Sequence, residues 1–302
     1  MIKAKTSFRN EEEMRAYINE AETLYNDQLS LAAEYILSQR EHRIVTLSGP
    51  SCSGKTTTGK KLIERLSRMG QRVHLVSLDD FFLPRDLLLA RAADNGGKID
   101  FDSPNTLDYA SLSSVIADIR ANRTVTLPKF SFLTGKREGE ETVIPTENDL
   151  FLFEGIQAVY PEVTSLLKNQ EGVSVFARVE CAITLGERVF EPNEIRLFRR
   201  LVRDYHFRGA SAAFTLDLWQ SVRENEEKHI FPNAKECDIY IDSTLAYEIM
   251  ALYPLLKTVL LSLPTESPHN GMAEKIIGTL DQYEPIKKGL IPQDSVSREF
   301  LG

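Results

Sequence analysis

A glycine-rich segment early in the chain contains the residue types that bind phosphate. Residues 49–56 read GPSCSGKT and match G-x-x-x-x-G-K-[ST] at every fixed position. Glycines let the backbone approach phosphate closely, and N–H groups at a helix start supply positive potential. We expect Lys55 to reach the β- and γ-phosphates and the Thr56 hydroxyl to bind Mg²⁺. Cys52 is interpreted as a small residue that fills the loop.

Two adjacent acids follow the next β-prone run, in the sequence VSLDDFF (76–82). In open α/β sheets the carboxyl ends of the strands form the ligand crevice. Transfer of a phosphoryl group to a hydroxyl needs a carboxylate that accepts or orients the hydroxyl proton. Asp79 is the candidate for this base. The alternative interpretation is that Asp79 and Asp80 cap or precede the next helix.

A third acid ends the apolar run LFLF (150–153). An apolar strand that ends in a carboxylate has the form of a Mg²⁺-binding strand of P-loop proteins. Because the phosphate loop is also present, we favour a metal role for Glu154. The alternative is an acid at a strand end that faces solvent.

Four arginines share one face of a predicted helix. Arg196, Arg199, Arg200 and Arg203 are spaced i, i+3, i+4 and i+7, so they repel one another unless anions lie among them. A triphosphate is such an anion, and arginines stabilise charge during phosphoryl transfer. We therefore favour a lid over phosphate. The alternative is a solvated face paired with nearby acids, which are Glu191, Glu194 and Asp204.

Strand and helix patterns alternate along the chain, which predicts an α/β fold with a mostly parallel sheet. The predicted strands are 44–47, 73–77, 124–127, 142–144, 150–153, 173–179 and 238–242. The predicted helices are 10–40, a helix after the glycine-rich loop that ends at Gly70, 106–121, 193–206, 211–227 and 245–262. Asn10 and Glu13 form a candidate capping box, Asn26-Asp27 is a candidate break, and Pro254 predicts a kink or break.

Composition excludes several classes of protein. The chain has 302 residues, with 36 Lys+Arg against 44 Asp+Glu and a net charge of −8. This balance disfavours general binding to nucleic acid or acidic membranes. The three cysteines form no C-x-x-C pair, which fits a reducing compartment. The polar N-terminus does not resemble a signal peptide, and the apolar stretch 249–263 is interrupted by Pro254 and Lys257. We therefore expect a cytoplasmic protein that spans no membrane.

Taken together, the motifs resemble the phosphoribulokinase/uridine kinase family of P-loop kinases. The matching stretches are GPSCSGKTT (49–57), VSLDDFF (76–82), FDSPNTLD (101–108), LPKFSFLTGKR (127–137), LFLFEGI (150–156), RLFRRLVRD (196–204) and FRGASA (207–212). The segments 226–248 and 294–302 look like a bacterial branch of uridine kinase-like nucleoside kinases. Longer members of that branch carry N-terminal domains similar to the TGS and editing regions of threonyl-tRNA synthetase. The roughly 40 residues before the kinase motifs are too few for either domain.

The resemblance implies a P-loop NTPase fold like that of nucleoside monophosphate kinases, with a five-stranded parallel sheet, flanking helices and a mobile lid. It implies ATP as the donor and Mg²⁺ as the cofactor. Under it, Asp79 matches the catalytic aspartate, Glu154 a metal-associated glutamate, and Asp102 an acid that holds ribose hydroxyls. The expected catalytic set is Lys55, Asp79, Arg199, Arg200 and Arg203. The expected ATP-binding set is Gly49, Pro50, Ser51, Cys52, Ser53, Gly54, Lys55, Thr56, Thr57 and Arg196. The expected acceptor-binding set is Asp79, Phe82, Asp102, Phe130, Phe132, Arg137 and Arg208, and the metal set is Thr56, Asp79 and Glu154.

The segment that would contact the nucleobase departs from the family pattern. Uridine kinases carry Tyr-Asp-Phe-x-x-His there, whereas Phe130 replaces the tyrosine and Gly135 replaces the histidine. Both polar contacts to the base edge are therefore missing, although Lys136 or Arg137 could supply a donor. Ala210 replaces the second arginine of the family's R-G-R. Phe130 and Phe132 are interpreted either as core residues or as stacking partners of a base.

We expect three parts: a helical extension (1–41), a kinase domain (42–262) with a lid near 190–212, and a C-terminal helix and tail (263–302) that pack on it. The leading function is phosphorylation of the 5′-hydroxyl of a uridine- or cytidine-like nucleoside by ATP. The alternatives are a kinase for a sugar phosphate or pantothenate, and a nucleotide-binding or RNA-associated regulator without turnover. The expected partners are ATP and a small acceptor, with homo-oligomerisation as an option and nucleic acid disfavoured.

Overall fold

Strands and helices alternate along most of the chain. A computed structural model of the protein describes residues 1–39, 42–93, 103–167 and 172–302. The strands are β1 (Ile2–Lys3), β2 (Ile44–Ser48), β3 (Val73–Ser77), β4 (Val125–Ser131), β5 (Lys136–Val143), β6 (Leu150–Glu154), β7 (Gly172–Arg178), β8 (Ile183–Leu185), β9 (Arg188–Phe190) and β10 (Ile239–Asp242). The helices are α1 (Glu11–Ser38), α2 (Lys55–Arg68), α3 (Arg85–Ala93), α4 (Tyr109–Arg120), α5 (Pro161–Leu167), α6 (Pro192–Arg208), α7 (Ala212–Asn225), α8 (Phe231–Ala234), α9 (Glu248–Leu261), α10 (Asn270–Leu280) and α11 (Arg298–Leu301).

Five parallel strands form the central sheet, in the order β10-β7-β2-β6-β3. The apolar runs of β2 and β6 are typical of parallel strands that are covered on both faces. Leu150 and Leu152 lie in an apolar layer that also contains α1, α2, α6 and α9, whereas Phe151 and Phe153 lie in a second layer with α4 and α5. The sheet and its flanking helices confirm the predicted α/β, P-loop NTPase fold.

The N-terminal helix does not break where the sequence offered a candidate break. Helix α1 runs without interruption from Glu11 to Ser38. The Asn26 side chain accepts hydrogen bonds from Lys61 at 3.1 Å and Arg65 at 2.7 Å, so it is bonded to α2 and does not compete for its own backbone. Asn10 caps the helix, accepting from the Glu13 amide at 2.9 Å.

Helix α9 runs through Pro254 without a break, so of the kink or break predicted there the break is wrong. A proline lacks the N–H that would bond to the carbonyl four residues earlier. In this protein that carbonyl, on the buried residue Met250, accepts a hydrogen bond from the Ile286 amide at 3.1 Å. The C-terminal segment thus replaces the hydrogen bond that the proline removes.

An antiparallel hairpin of β4 and β5 is separate from the central sheet and carries the segment predicted to contact the acceptor. Phe130 pairs with Arg137 near the turn. The sequence predicted only short strands here, because β5 is exposed along almost its whole length and so lacks apolar alternation. Among the described residues, no helix combines the length and hydrophobicity needed to cross a bilayer.

Candidate active site

The glycine-rich loop connects β2 to α2 and borders a cavity of about 800 Å³. Gly54 has a φ of 83°, and a Cβ there would collide with Val296, so the position requires glycine. Cys52 is buried at a φ of 59° and fills the loop. The loop residues that line the cavity are Ser51, Cys52, Ser53, Gly54, Lys55 and Thr56.

The two candidate carboxylates meet in this cavity because their strands are neighbours. Ser77 at the end of β3 pairs with Glu154 at the end of β6, and Asp79 lies in the helical turn that follows β3. Asp79 and Glu154 both line the cavity with Lys55. Burial raises the pKa of both carboxyls, while the positive charge of Lys55 acts to lower each. The site therefore holds two acids whose ionisation depends on nearby positive charge.

The arginine face of α6 is divided between two environments, and Arg196 and Arg199 do not line the cavity. Both are fully buried. Arg196 binds both carboxylate oxygens of Glu226 at 2.6 Å, and Arg199 binds those of Glu248 at 2.6 and 3.0 Å. They also donate to the Ser51 and Cys52 carbonyls at 3.0 and 3.2 Å.

These contacts correct the prediction that all four arginines face phosphate. The guanidinium groups of Arg196 and Arg199 are already neutralised by buried glutamates, and each is bonded to the backbone of the loop. They hold the glycine-rich loop against α6. Each buried guanidinium donates two N–H bonds to the two oxygens of one carboxylate. This arrangement fixes the orientation of both side chains.

Arg200 and Arg203 do line the cavity, together with Arg208. All three lie within 4 Å of one acid, Asp204, at 3.2, 2.7 and 3.8 Å. Burial lowers the pKa of Arg208, and the charge of Arg203 lowers it further. Three guanidinium groups around a single carboxylate leave a positive excess, which an anion in the cavity would neutralise.

Aromatic side chains also line the cavity. Phe82 and Phe132 line it, and their rings lie 5.6 Å apart in an edge-to-face arrangement. Phe130 packs on both rings and borders a neighbouring cavity of about 270 Å³ with Arg85 and Leu88. Phe132 is half exposed, so these rings form a wall and not a closed core.

Two of the described residues that were predicted to bind the acceptor, Phe130 and Arg137, do not line this cavity. Arg137 pairs with Asp108 at 2.9 Å and borders a separate, shallow cavity with Lys136. Asp102 lies outside the described residues. The structure therefore brings Asp79, Phe82, Phe132 and Arg208 together, and leaves Arg137 apart.

Residues 44–249, more than half of the chain, match the model of the Phosphoribulokinase / Uridine kinase family. The chain belongs to this family. It is an ATP-dependent kinase.

Uridine-cytidine kinase B of Dictyostelium discoideum is 26% identical over 212 residues, which cover 68% of this kinase and 79% of that protein. Uridine-cytidine kinase A of the same organism is 28% identical over 222 residues, 71% of this kinase but only 39% of that protein. A solved structure titled a possible uridine kinase from Bacillus stearothermophilus has a TM-score of 0.48 at 19% identity, covering 72% of this kinase and 98% of that chain.

Three polar residues of the kinase site were missed by sequence reasoning. Gln157 donates to Asp79 at 3.4 Å, and Glu226 accepts from the Ser51 amide at 3.2 Å. Glu299 accepts from the amide and hydroxyl of Thr57. Gln157 follows an apolar strand, so a strand-end position could have signalled it. Glu226 and Glu299 lie far along the chain from the loop, and no local pattern links them to it.

Replacing Glu154 by glutamine should make the metal-free kinase more stable at pH 8. Burial holds the carboxyl pKa above its unfolded value, so the unfolded state loses its proton first as pH rises. The free energy of unfolding therefore falls as the pH rises from the unfolded pKa of Glu154 to its folded pKa, and it stays lower above that range. The Tm of Glu154→Gln in EDTA should exceed the wild-type Tm at pH 8 and approach it near pH 4. The exposed Glu147→Gln variant is the control, and a wild-type-like Tm for Glu154→Gln at pH 8 would contradict this account.

Proposed function

We propose that the kinase transfers the γ-phosphoryl group of ATP to the 5′-hydroxyl of a nucleoside, forming a nucleoside monophosphate. One observation carries the proposal: Asp79, a partly exposed carboxylate, lines the same cavity as the phosphate loop and the phenylalanines Phe82 and Phe132. The loop suits a triphosphate, and the wall offers ring faces to a planar base. The names of the uridine-cytidine kinases support this acceptor class.

In the proposed mechanism Asp79 orients the acceptor hydroxyl and takes its proton as the new O–P bond forms. The bond between the γ-phosphorus and the bridging oxygen breaks, and ADP leaves with that oxygen. Lys55, Arg200 and Arg203 stabilise the charge on the transferred group. Gln157 positions Asp79 through the 3.4 Å hydrogen bond. A pKa raised by burial makes Asp79 a better proton acceptor than an exposed aspartate.

A magnesium ion fits the oxygen donors of the cavity. Mg²⁺ prefers oxygen ligands and usually takes one or two carboxylates together with substrate phosphates. Thr56, Glu154 and Asp79 would hold it, and it would neutralise charge on the phosphates. Across the described residues no group of three or more His, Cys, Asp or Glu side chains could hold a metal. The nucleotide would therefore complete the coordination.

The acceptor is tested with a panel of uridine, cytidine, adenosine, guanosine, a sugar phosphate and pantothenate. We expect ADP release that depends on a pyrimidine nucleoside, with a product heavier by one phosphoryl group. Release with the sugar phosphate or pantothenate alone would replace this proposal with the corresponding kinase. Nucleotide binding without release for any acceptor would support a regulator without turnover. Incubation without acceptor measures background hydrolysis.

The remaining assignments stay predictions. These are a cytoplasmic location, homo-oligomerisation, and the division into residues 1–41, 42–262 and 263–302 with a lid near 190–212.

A further inference from the structure

The end of the chain packs directly against the phosphate loop. Val296 and Phe300 are fully buried, and Val296 lies against Gly54. The Phe300 ring lies 5.1 Å from the guanidinium of Arg199, which itself holds the Cys52 carbonyl. These contacts place α11 beside the first turn of α2. Apolar contacts thus fix the C-terminal tail beside the nucleotide cavity. A bound phosphate would compete for polar groups and not for these contacts.

The carboxylate of Glu299 in this tail accepts hydrogen bonds from Thr57, the residue that follows the phosphate loop. Glu299 Oε2 accepts from the Thr57 amide at 3.3 Å and from the Thr57 hydroxyl at 2.9 Å. Glu299 also lines the cavity, and its charge raises the pKa of Glu154. Thr57 lies in the first turn of α2, where N–H groups point toward bound phosphate. The amide and the hydroxyl of Thr57 have one hydrogen each, and both hydrogens are bonded to Glu299.

We propose that Glu299 is an internal counter-anion that the polyphosphate of the nucleotide must displace from Thr57. The proposal rests on the proposed function, because it assumes that the loop binds a nucleotide. A phosphate oxygen and a carboxylate cannot share the same two hydrogens, and their charges repel. The polyphosphate carries several negative charges, whereas Glu299 carries one. The positive side chains of the cavity therefore favour the polyphosphate, and these are Lys55, Arg200, Arg203 and Arg208. The tail therefore weakens nucleotide binding and makes it selective for ligands with enough charge to displace Glu299.

The test compares Glu299→Gln with the wild-type kinase by calorimetric titration. Glutamine keeps the size and an acceptor oxygen but removes the charge. We expect Glu299→Gln to bind tripolyphosphate and ADP about three- to tenfold more tightly, the range for the net contribution of one ordinary hydrogen bond. Adenosine, which has no phosphate, should bind both proteins equally. Glu284→Gln, an exposed change elsewhere in the tail, should bind like wild type, and equal Tm values show that the variants fold.

Unchanged or weaker binding of tripolyphosphate by Glu299→Gln would overturn the proposal. Weaker binding would instead make Glu299 a favourable part of the nucleotide site. A gain for adenosine as large as that for ADP would also overturn it, because the effect would not concern phosphate. Failure of both proteins to bind ADP or tripolyphosphate would remove the site altogether. Tighter ADP binding in a kinase that phosphorylates no nucleoside would overturn the proposed acceptor and leave the role of Glu299 intact.

Discussion

Replacing Asp79 by asparagine is expected to lower acceptor-dependent turnover by about 10²- to 10⁴-fold, the range for removing a general base. Asparagine has nearly the same shape and keeps an oxygen that can accept from Gln157, but it cannot take a proton. The loop, the lysine and the arginines stay in place, so the Kd for ADP should change little. The measurement is ADP release with saturating acceptor, together with titration of ADP.

The neighbouring acid offers a matched control. Asp80 accepts from the Phe130 amide at 3.0 Å and lies 3.5 Å from Lys129, so it supports the hairpin and is not part of the cavity lining. Asp80→Asn keeps an acceptor for that amide and should retain turnover within a few fold. Equal losses in Asp79→Asn and Asp80→Asn would indicate a shared structural effect. Full turnover in Asp79→Asn would exclude Asp79 as the base.

Replacing Glu248 by alanine should destabilise the kinase by about 3–5 kcal/mol, the usual cost of leaving one partner of a buried ion pair alone. The side chains of Arg199 and Glu248 are 0% and 1% exposed, so water cannot solvate the remaining guanidinium. Glu248 Oε1 also accepts from the Leu245 amide at 2.9 Å, and that bond would be lost as well. Unfolding in urea and by heat measures the change.

An exposed pair provides the comparison. Arg68 and Glu64 are 74% and 54% exposed on α2, and such i,i+4 pairs contribute about 0.3–0.5 kcal/mol. Glu64→Ala should therefore cost well under 1 kcal/mol. Losses of similar size in the two variants would show that the pair of Arg199 and Glu248 is not the source of stability. A loss confined to Glu248→Ala should also weaken ADP binding, because Arg199 holds the Cys52 carbonyl.

The parts of the site that follow from local sequence were predictable. The phosphate loop is one continuous motif, and β3 and β6 are short apolar runs whose ends carry Asp79 and Glu154. Adjacent parallel strands place those ends at the same edge of the sheet. The sequence therefore supports the expectation that the two acids share a cavity with Lys55.

The roles of the arginines could not be predicted in the same way. Helical spacing places Arg196, Arg199, Arg200 and Arg203 on one face, but it does not say what packs against that face. Glu226 and Glu248 reach α6 from segments after α7 and β10, so the pairing depends on tertiary packing. The same limit applies to Glu299, whose contact with Thr57 spans most of the chain. The alternative interpretation, in which the arginines pair with nearby acids, applies to Arg200 and Arg203, which line the cavity and also pair with Asp204.

The hydrogen bond from Ile286 to the Met250 carbonyl has a consequence for choosing a minimal kinase. The family match ends at residue 249, which invites shortened expression clones that stop soon after α9. Such a clone would keep Pro254 but lose Ile286, leaving a buried carbonyl without its donor at a cost of about 1–3 kcal/mol. It would also uncover the surfaces that Val296 and Phe300 cover. The segment that matches the family model is therefore shorter than the segment whose contacts stabilise α9 and the phosphate loop.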